Sequence, residues 1–211
     1  MSDTSPRSGT GTLLVISAPS GGGKTSLVQA LTASLENLVV SVSHTTRPRR
    51  GGETDGVAYH FVDDGSFEQM VRNDEFLEYA TVFDHRYGTS RPAIEQRLEQ
   101  NIDVILEIDW QGARSVRDSG LDTVSIFILP PSIEVLEERL RGRGDSEAVV
   151  ERRMRDAVAE MSHYDEYDYL VVNDNFGDAV NDLKSIICSV RLARQRQQHR
   201  YAGLLRSLVA S

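Results

Sequence analysis

The sequence predicts an α/β protein: a parallel sheet flanked by helices, with a small inserted subdomain and a lid. Three observations lead there. Apolar, β-branched runs at residues 13–16, 104–108 and 124–129, broken only by Glu107 and Ser125, read as strands buried on both faces. Each is followed by a plausible helix, and strand–helix alternation of this kind implies parallel crossover units. A Gly-rich turn joins the first strand to the first helix. At 211 residues the chain is long enough to bury a core without disulfide or metal staples.

Taken in order, residues 1–11 are Ser, Thr, Gly, Pro and charge without periodicity, and are expected to form a flexible tail. The first strand follows, then the turn at residues 20–23, then a helix with Leu27, Val28, Leu31 and Leu35 on one face. From residue 47 to 97 the texture changes to short segments such as 58–62 and 77–82, with polar turns and aromatic residues between them. This stretch is assigned to an inserted subdomain, which leaves 12–46 and 98–211 as the core. Ser132, after two prolines, is a candidate N-cap for a helix carrying Ile133, Leu136 and Leu140. Tyr169–Val172 is a further strand, and the last helix carries Val180, Leu183, Ile186, Ile187 and Val190. Both helices are expected to pack on the sheet. Between them Gly142 and Gly144 interrupt helical patterns, so residues of about 139–155 form a lid with a glycine hinge.

Composition excludes several classes of function. Lys and Arg total 23 against 32 Asp and Glu, a formal charge of −9, which disfavours a nucleic-acid backbone as partner. No apolar run reaches 18 residues, so a membrane span is not expected. A single cysteine, Cys188, and an N-terminus without an apolar signal core point to the cytoplasm. Cys188 is expected to be a buried core thiol. The five histidines lack metal-ligand spacing.

The stretch Ala18-Pro-Ser20-Gly21-Gly22-Gly23-Lys24-Thr25 fits the phosphate-loop pattern G-x-x-x-x-G-K-[ST], with Ala in the first position. A buried strand leads in and a helix leads out. Backbone N–H groups of Gly21 to Thr25, flanked by Ser20 and Ser26, would therefore face a polyphosphate, aided by the helix dipole. Lys24 would reach the β- and γ-phosphates, and the Thr25 hydroxyl would face Mg²⁺. The loop alone specifies a bound nucleotide and leaves the reaction open.

A second constellation narrows it. The run Thr45-Thr-Arg47-Pro-Arg49-Arg50-Gly-Gly-Glu53-Thr-Asp-Gly56-Val-Ala-Tyr59-His-Phe61 sets three arginines beside a tyrosine. Taken with Tyr87-Gly88-Thr89, Leu106-Glu107-Ile-Asp109-Trp-Gln-Gly112, Val171-Val-Asn173-Asp174 and the loop, the sequence resembles the guanylate kinases of the small bacterial type, over about 12–190. The resemblance implies phosphoryl transfer from MgATP to GMP, and to dGMP, in purine nucleotide metabolism. It implies that Arg47, Arg50, Tyr59 and Tyr87 hold the GMP phosphate, that Ser43, Glu78 and Thr89, with Gly88, read guanine, and that Glu107 also serves the GMP site. Asp109 is implied to orient magnesium through water, Arg139, Arg143 and Arg153 to be lid arginines, and Asn173 to lie near adenine. Arg49 stands where the family usually has proline, which leaves Arg49 and Arg50 as alternatives for the phosphate.

These residue types suit the chemistry independently. Guanine presents N1–H and its 2-amino group as adjacent donors, so one buried carboxylate, Glu78, accepts both, and a Ser43 or Thr89 hydroxyl donates to O6. Adenine would leave that carboxylate unpaired. Residues 139–155 hold six arginines and three acids, a local excess of +3 suited to a phosphoryl group in flight. Mutual repulsion of these arginines is expected to hold the unliganded lid open. The rival readings are a kinase for another monophosphate, a scaffold module of the same fold that has lost ATP binding, and a signalling GTPase, the last without an N-K-x-D motif.

Overall fold

The computed structural model describes residues 11–82, 84–142 and 144–210. Strand β1 (Leu13–Ser17) is buried along its whole length. Its side chains divide by parity, as a pleated strand covered on both faces requires. Leu14 and Ile16 pack with Leu27, Val28 and Leu31 of α1 (Lys24–Ser34), whereas Leu13 and Val15 pack on the opposite face with Leu106, Ala113 and Val116.

The chain continues through β2 (Leu38–Val40), β3 (His44–Thr45), β4 (His60–Phe61), α2 (Asp64–Arg72), β5 (Phe76–Val82), β6 (His85–Ser90) and α3 (Arg91–Glu99). It then returns to the core with β7 (Asp103–Glu107), α4 (Trp110–Asp118), β8 (Thr123–Leu129), α5 (Ile133–Arg141), α6 (Glu147–Met161), β9 (Tyr169–Val172) and α7 (Phe176–Arg191). Helices α8 (Arg194–Arg200) and α9 (Ala202–Val209) follow.

Two sheets result. The large one has order β2-β7-β1-β8-β9 and every pairing in it is parallel, as the strand–helix alternation predicts. The small one, β4-β3-β6-β5, is mixed and draws its strands from residues 44–90. It rests on the core through Leu77, which joins the cluster of Ala113 and Val116. The sequence pattern missed α2 and α3. Ile94 of α3 packs with Leu13, Val104 and Leu106, so this helix lies against the large sheet.

Several expectations are corrected. The strand expected at 104–108 sits one residue earlier, and Asp109 caps α4. Helix α5 does begin after Ser132, whose side chain accepts from the Val135 N–H. Its Leu136 and Leu140, however, cluster with Val150 and Ala157 of α6 and not with the sheet, while Ile133 is exposed. Cys188 is exposed too: α7 buries Ala179, Val180, Leu183 and Ile187, and position 188 falls a third of a turn off that stripe. Gly11, expected to end the tail, donates its N–H to the Leu98 carbonyl at 3.0 Å. Residues 1–10 of that tail lie outside the described residues, as does Arg143 of the lid.

Candidate active site

The phosphate loop occupies the carboxyl end of β1, where open parallel sheets bind ligands. Gly22 closes the turn with its N–H on the Pro19 carbonyl at 2.8 Å. Gly23 then enters α1 with φ +91°, a left-handed conformation that favours glycine. An added Cβ there would also stand 2.3 Å from the Asn173 side-chain nitrogen. Side chains of Asp63, Ser90, Asp109, Ser132 and Asn175 cap α2, α3, α4, α5 and α7, whereas α1 starts without a side-chain cap. Its first N–H groups are left for an anion.

Ser20, Gly21, Gly23, Lys24, Thr25 and Ser26 line a cavity of about 310 Å³, together with Asp109 and Glu160. Gly22 forms the turn beneath it. A second cavity of about 400 Å³ is lined by Ser43, Tyr59, Thr89 and Glu107, and again by Lys24 and Thr25. The two cavities therefore meet at these two residues. The Lys24 ammonium lies 3.4 Å from the Ile108 carbonyl. Burial pulls its pKa down, and the charges of Glu107, Glu160 and Asp109 oppose that shift. The Thr25 hydroxyl faces Glu107 at 3.5 Å. Asp109 accepts the Gly112 N–H at 2.8 Å, so it caps α4 while facing the loop cavity.

Arg47 is almost fully buried and is bound by Glu53 at 2.7 Å, with the Tyr59 and Phe61 rings 5.5 and 5.7 Å from its guanidinium carbon. The hydrogen bond to Glu53 is the first cause holding the Arg47 pKa up. Tyr59 and Tyr87 meet edge to face at 5.7 Å. Arg49 and Arg50 are both exposed, and the Arg50 backbone N–H donates to Glu53. Glu78 and Thr89 are register partners, and burial pushes the Glu78 pKa up against the opposing Thr89 hydrogen bond. Gly88 is buried beneath them, and a Cβ on it would come within 2.8 Å of the Phe76 ring.

The lid segment differs from expectation. Arg141 pairs with Glu137 and Glu147, Arg152 with Asp156, and Arg153 with Asp145 at 2.6 Å. Among the described residues, Arg141, Arg152 and Arg153 are thus each answered by a carboxylate: Asp145 and Glu147 within 139–155, Glu137 and Asp156 just outside it. Arg139 donates to the Asn173 carbonyl at 2.9 Å. The Asn173 side chain donates to the Gly22 carbonyl and is buried, so it braces the phosphate loop from behind. Glu160 escaped the sequence reading: it lies 140 residues from its Ser20 partner, in a helix whose pattern carries no sign of it.

Residues 10–190 match the family model described as guanylate kinase. The chain belongs to the guanylate kinase family. A guanylate kinase of Nitrosococcus oceani is 58% identical over 200 residues, covering 94% of this chain and 98% of that protein. One of Escherichia coli is 56% identical over 203 residues, covering 95% and 98%. The crystal structure of guanylate kinase from Anaplasma phagocytophilum superimposes with a TM-score of 0.68 at 36% identity, covering 88% of this chain and 89% of that one. The two cavities stand side by side, sharing Lys24 and Thr25. No described helix is long and apolar enough to cross a membrane.

Proposed function

We propose that this chain transfers the γ-phosphoryl group of MgATP to GMP or dGMP, giving ADP with GDP or dGDP, for purine nucleotide metabolism in the cytoplasm. The observation that carries this reading is the common border of the two cavities at Lys24 and Thr25. A donor held by the uncapped N-terminus of α1 would present its terminal phosphate to an acceptor held in the neighbouring cavity, which favours in-line transfer.

The Arg47 guanidinium, with Arg50 and the Tyr59 and Tyr87 hydroxyls, would bind the acceptor phosphate. Ser43, Glu78, Thr89 and Glu107, over the close-packed backbone of Gly88, would hold the nucleoside. Lys24 would follow the migrating group across the border, and Arg139, Arg143 and Arg153 would add charge from the lid. The bond from the γ-phosphorus to the bridging oxygen breaks and ADP keeps its electron pair, while an acceptor phosphate oxygen forms the new bond. That oxygen is already ionised near pH 7, so no general base is required. The hydroxyl of Thr25 beside two carboxylates is a donor set that suits a hard cation, and Thr25, with Asp109 through water, would hold Mg²⁺ to neutralise charge on the phosphate oxygens. Asn173 would serve the donor site through its bond to Gly22.

We assign about 139–155 to the lid and, because β3 (44–45) joins the small sheet and α3 lies on the large one, move the expected core and subdomain bounds of 12–46, 98–211 and 47–97 so that about 44–90 forms the acceptor subdomain and the rest the core. A coupled ADP-release assay across GMP, dGMP, AMP, CMP and UMP tests the assignment. Turnover confined to GMP and dGMP is expected, and equal turnover with AMP would overturn it.

A further inference from the structure

A side-chain carboxyl of the protein itself already occupies part of the phosphate loop. Glu160, near the end of α6, places a carboxylate oxygen 3.1 Å from the Ser20 nitrogen and accepts its N–H. It lines the loop cavity together with Lys24 and Asp109. Burial pushes the Glu160 pKa up, as do the charges of Asp109 and Asp156, while the Ser20 N–H and Lys24 favour the ionised form. The cavity is built for negative charge, with backbone donors, a helix N-terminus and a lysine converging on it. A carboxylate in that position satisfies a donor that a phosphate oxygen would otherwise take.

We propose that Glu160 is a positioning residue that stands in for the donor nucleotide's phosphates: it holds the Ser20 N–H in the empty enzyme and yields it when the polyphosphate arrives. The proposal rests on reading residues 18–25 as the ATP site. Carboxylate and polyphosphate repel each other in a half-buried cavity, where screening by water is weak, so both cannot keep this place. A ligand offering a single weak contact would be held off, whereas a triphosphate, which makes many contacts at once, would displace the side chain.

The exchange also reaches the lid. Arg153 lies seven residues before Glu160 on the same helix, about two turns and roughly 10 Å away on the same face. Its own charge is held by Asp145. Displacing Glu160 releases one anchor of the helix that carries a lid arginine. The competing possibility is that Glu160 is a fixed strut, which keeps its bond to Ser20 and shapes the loop for nucleotide.

Titration calorimetry of the full chain with the β,γ-imido analogue of ATP and Mg²⁺ separates the two. Glu160→Gln keeps the length and an acceptor oxygen but removes the charge. The analogue should bind it roughly three- to tenfold more tightly than it binds the wild type, the range expected when a charge-assisted competitor is weakened. KM for ATP should fall more than kcat changes, and KM for GMP should stay in place. Glu160→Ala should act in the same direction, and it serves as the second variant if the glutamine form is unstable by thermal melting. Unchanged or weaker binding by Glu160→Gln beside a wild type that binds would establish the strut and overturn the proposal, whereas failure of both the wild type and Glu160→Gln to bind the analogue would overturn the reading of residues 18–25 as the ATP site, and the proposal with it. Failure of GMP to elicit ADP release would instead count against the acceptor reading, since the titration contains no acceptor.

Discussion

The Thr89 hydroxyl donates to a Glu78 carboxylate oxygen at 2.5 Å, across the antiparallel β5–β6 pair. One oxygen of a mostly buried carboxylate is thereby held in place, and the group is oriented before any base arrives.

Glu78→Gln should accordingly raise KM for GMP by about 10- to 100-fold while leaving KM for ATP within about twofold, because an amide donor would face guanine's own donors. Steady-state kinetics with each substrate varied in turn checks this. The pH profile adds a second readout. Burial raises the Glu78 pKa, and the ionised form is the acceptor, so kcat/KM for GMP should fall as pH drops through a value above the ordinary carboxylate range. That limb should vanish in Glu78→Gln.

Lys24→Ala should fold normally and lose at least about 100-fold in turnover, since a preorganised charge at the junction of the two cavities is removed. Circular dichroism together with the coupled assay tests both halves of the statement.

Gly23→Ala should be costly for two separable reasons, the positive φ and the approach of Asn173. Backbone strain of this kind costs about 1–3 kcal/mol. The variant should melt at a lower temperature and show a raised KM for ATP. Adding Asn173→Ala relieves the contact but leaves the strain and frees the Gly22 carbonyl, so the double variant should recover only part of the loss.

Asp103 is 1% exposed and binds Arg191 at 2.7 Å, Arg196 at 2.6 Å and the Thr12 N–H at 2.7 Å. Asp103→Ala takes the shared carboxylate from two arginines, a loss of about 3–5 kcal/mol, and Tm should fall by roughly 6–20 °C. Turnover at 25 °C should be unaffected, because this cluster lies at the amino end of the sheet, away from the loop.

The parts of the fold legible in sequence were those with strong local signals. Strand β1, its glycine turn and α1 form one contiguous pattern, and the parity of β1 side chains follows from continuous apolarity. Helices α2 and α3 bury one residue each, Phe67 and Ile94, too few for a helical period to emerge, although Asp63 and Ser90 were available as caps. In the site, Lys24 and Arg47 stood out because they belong to local motifs, whereas Glu78 was named only through the family resemblance. Glu160 and the acids that hold Arg153 and Arg47 were not, because one arrives from a distant helix and the others look like ordinary surface charge until the chain folds. Asn173 was placed near adenine, and its contact with Gly22 depends on how β9 meets the loop, which no spacing encodes.

The Asp103 cluster also bears on the order of events during synthesis. It joins Thr12 at the start of the first strand to Arg191 and Arg196, which are made nearly 180 residues later. Strands β1 and β7 can therefore pair on a growing chain, with the Thr12 N–H already on Asp103, but the carboxylate stays in water without its two arginines until the end of α7 and α8 have been made. A nascent chain stalled before residue 191 should be open to protease at β7, and one extended past residue 196 should close.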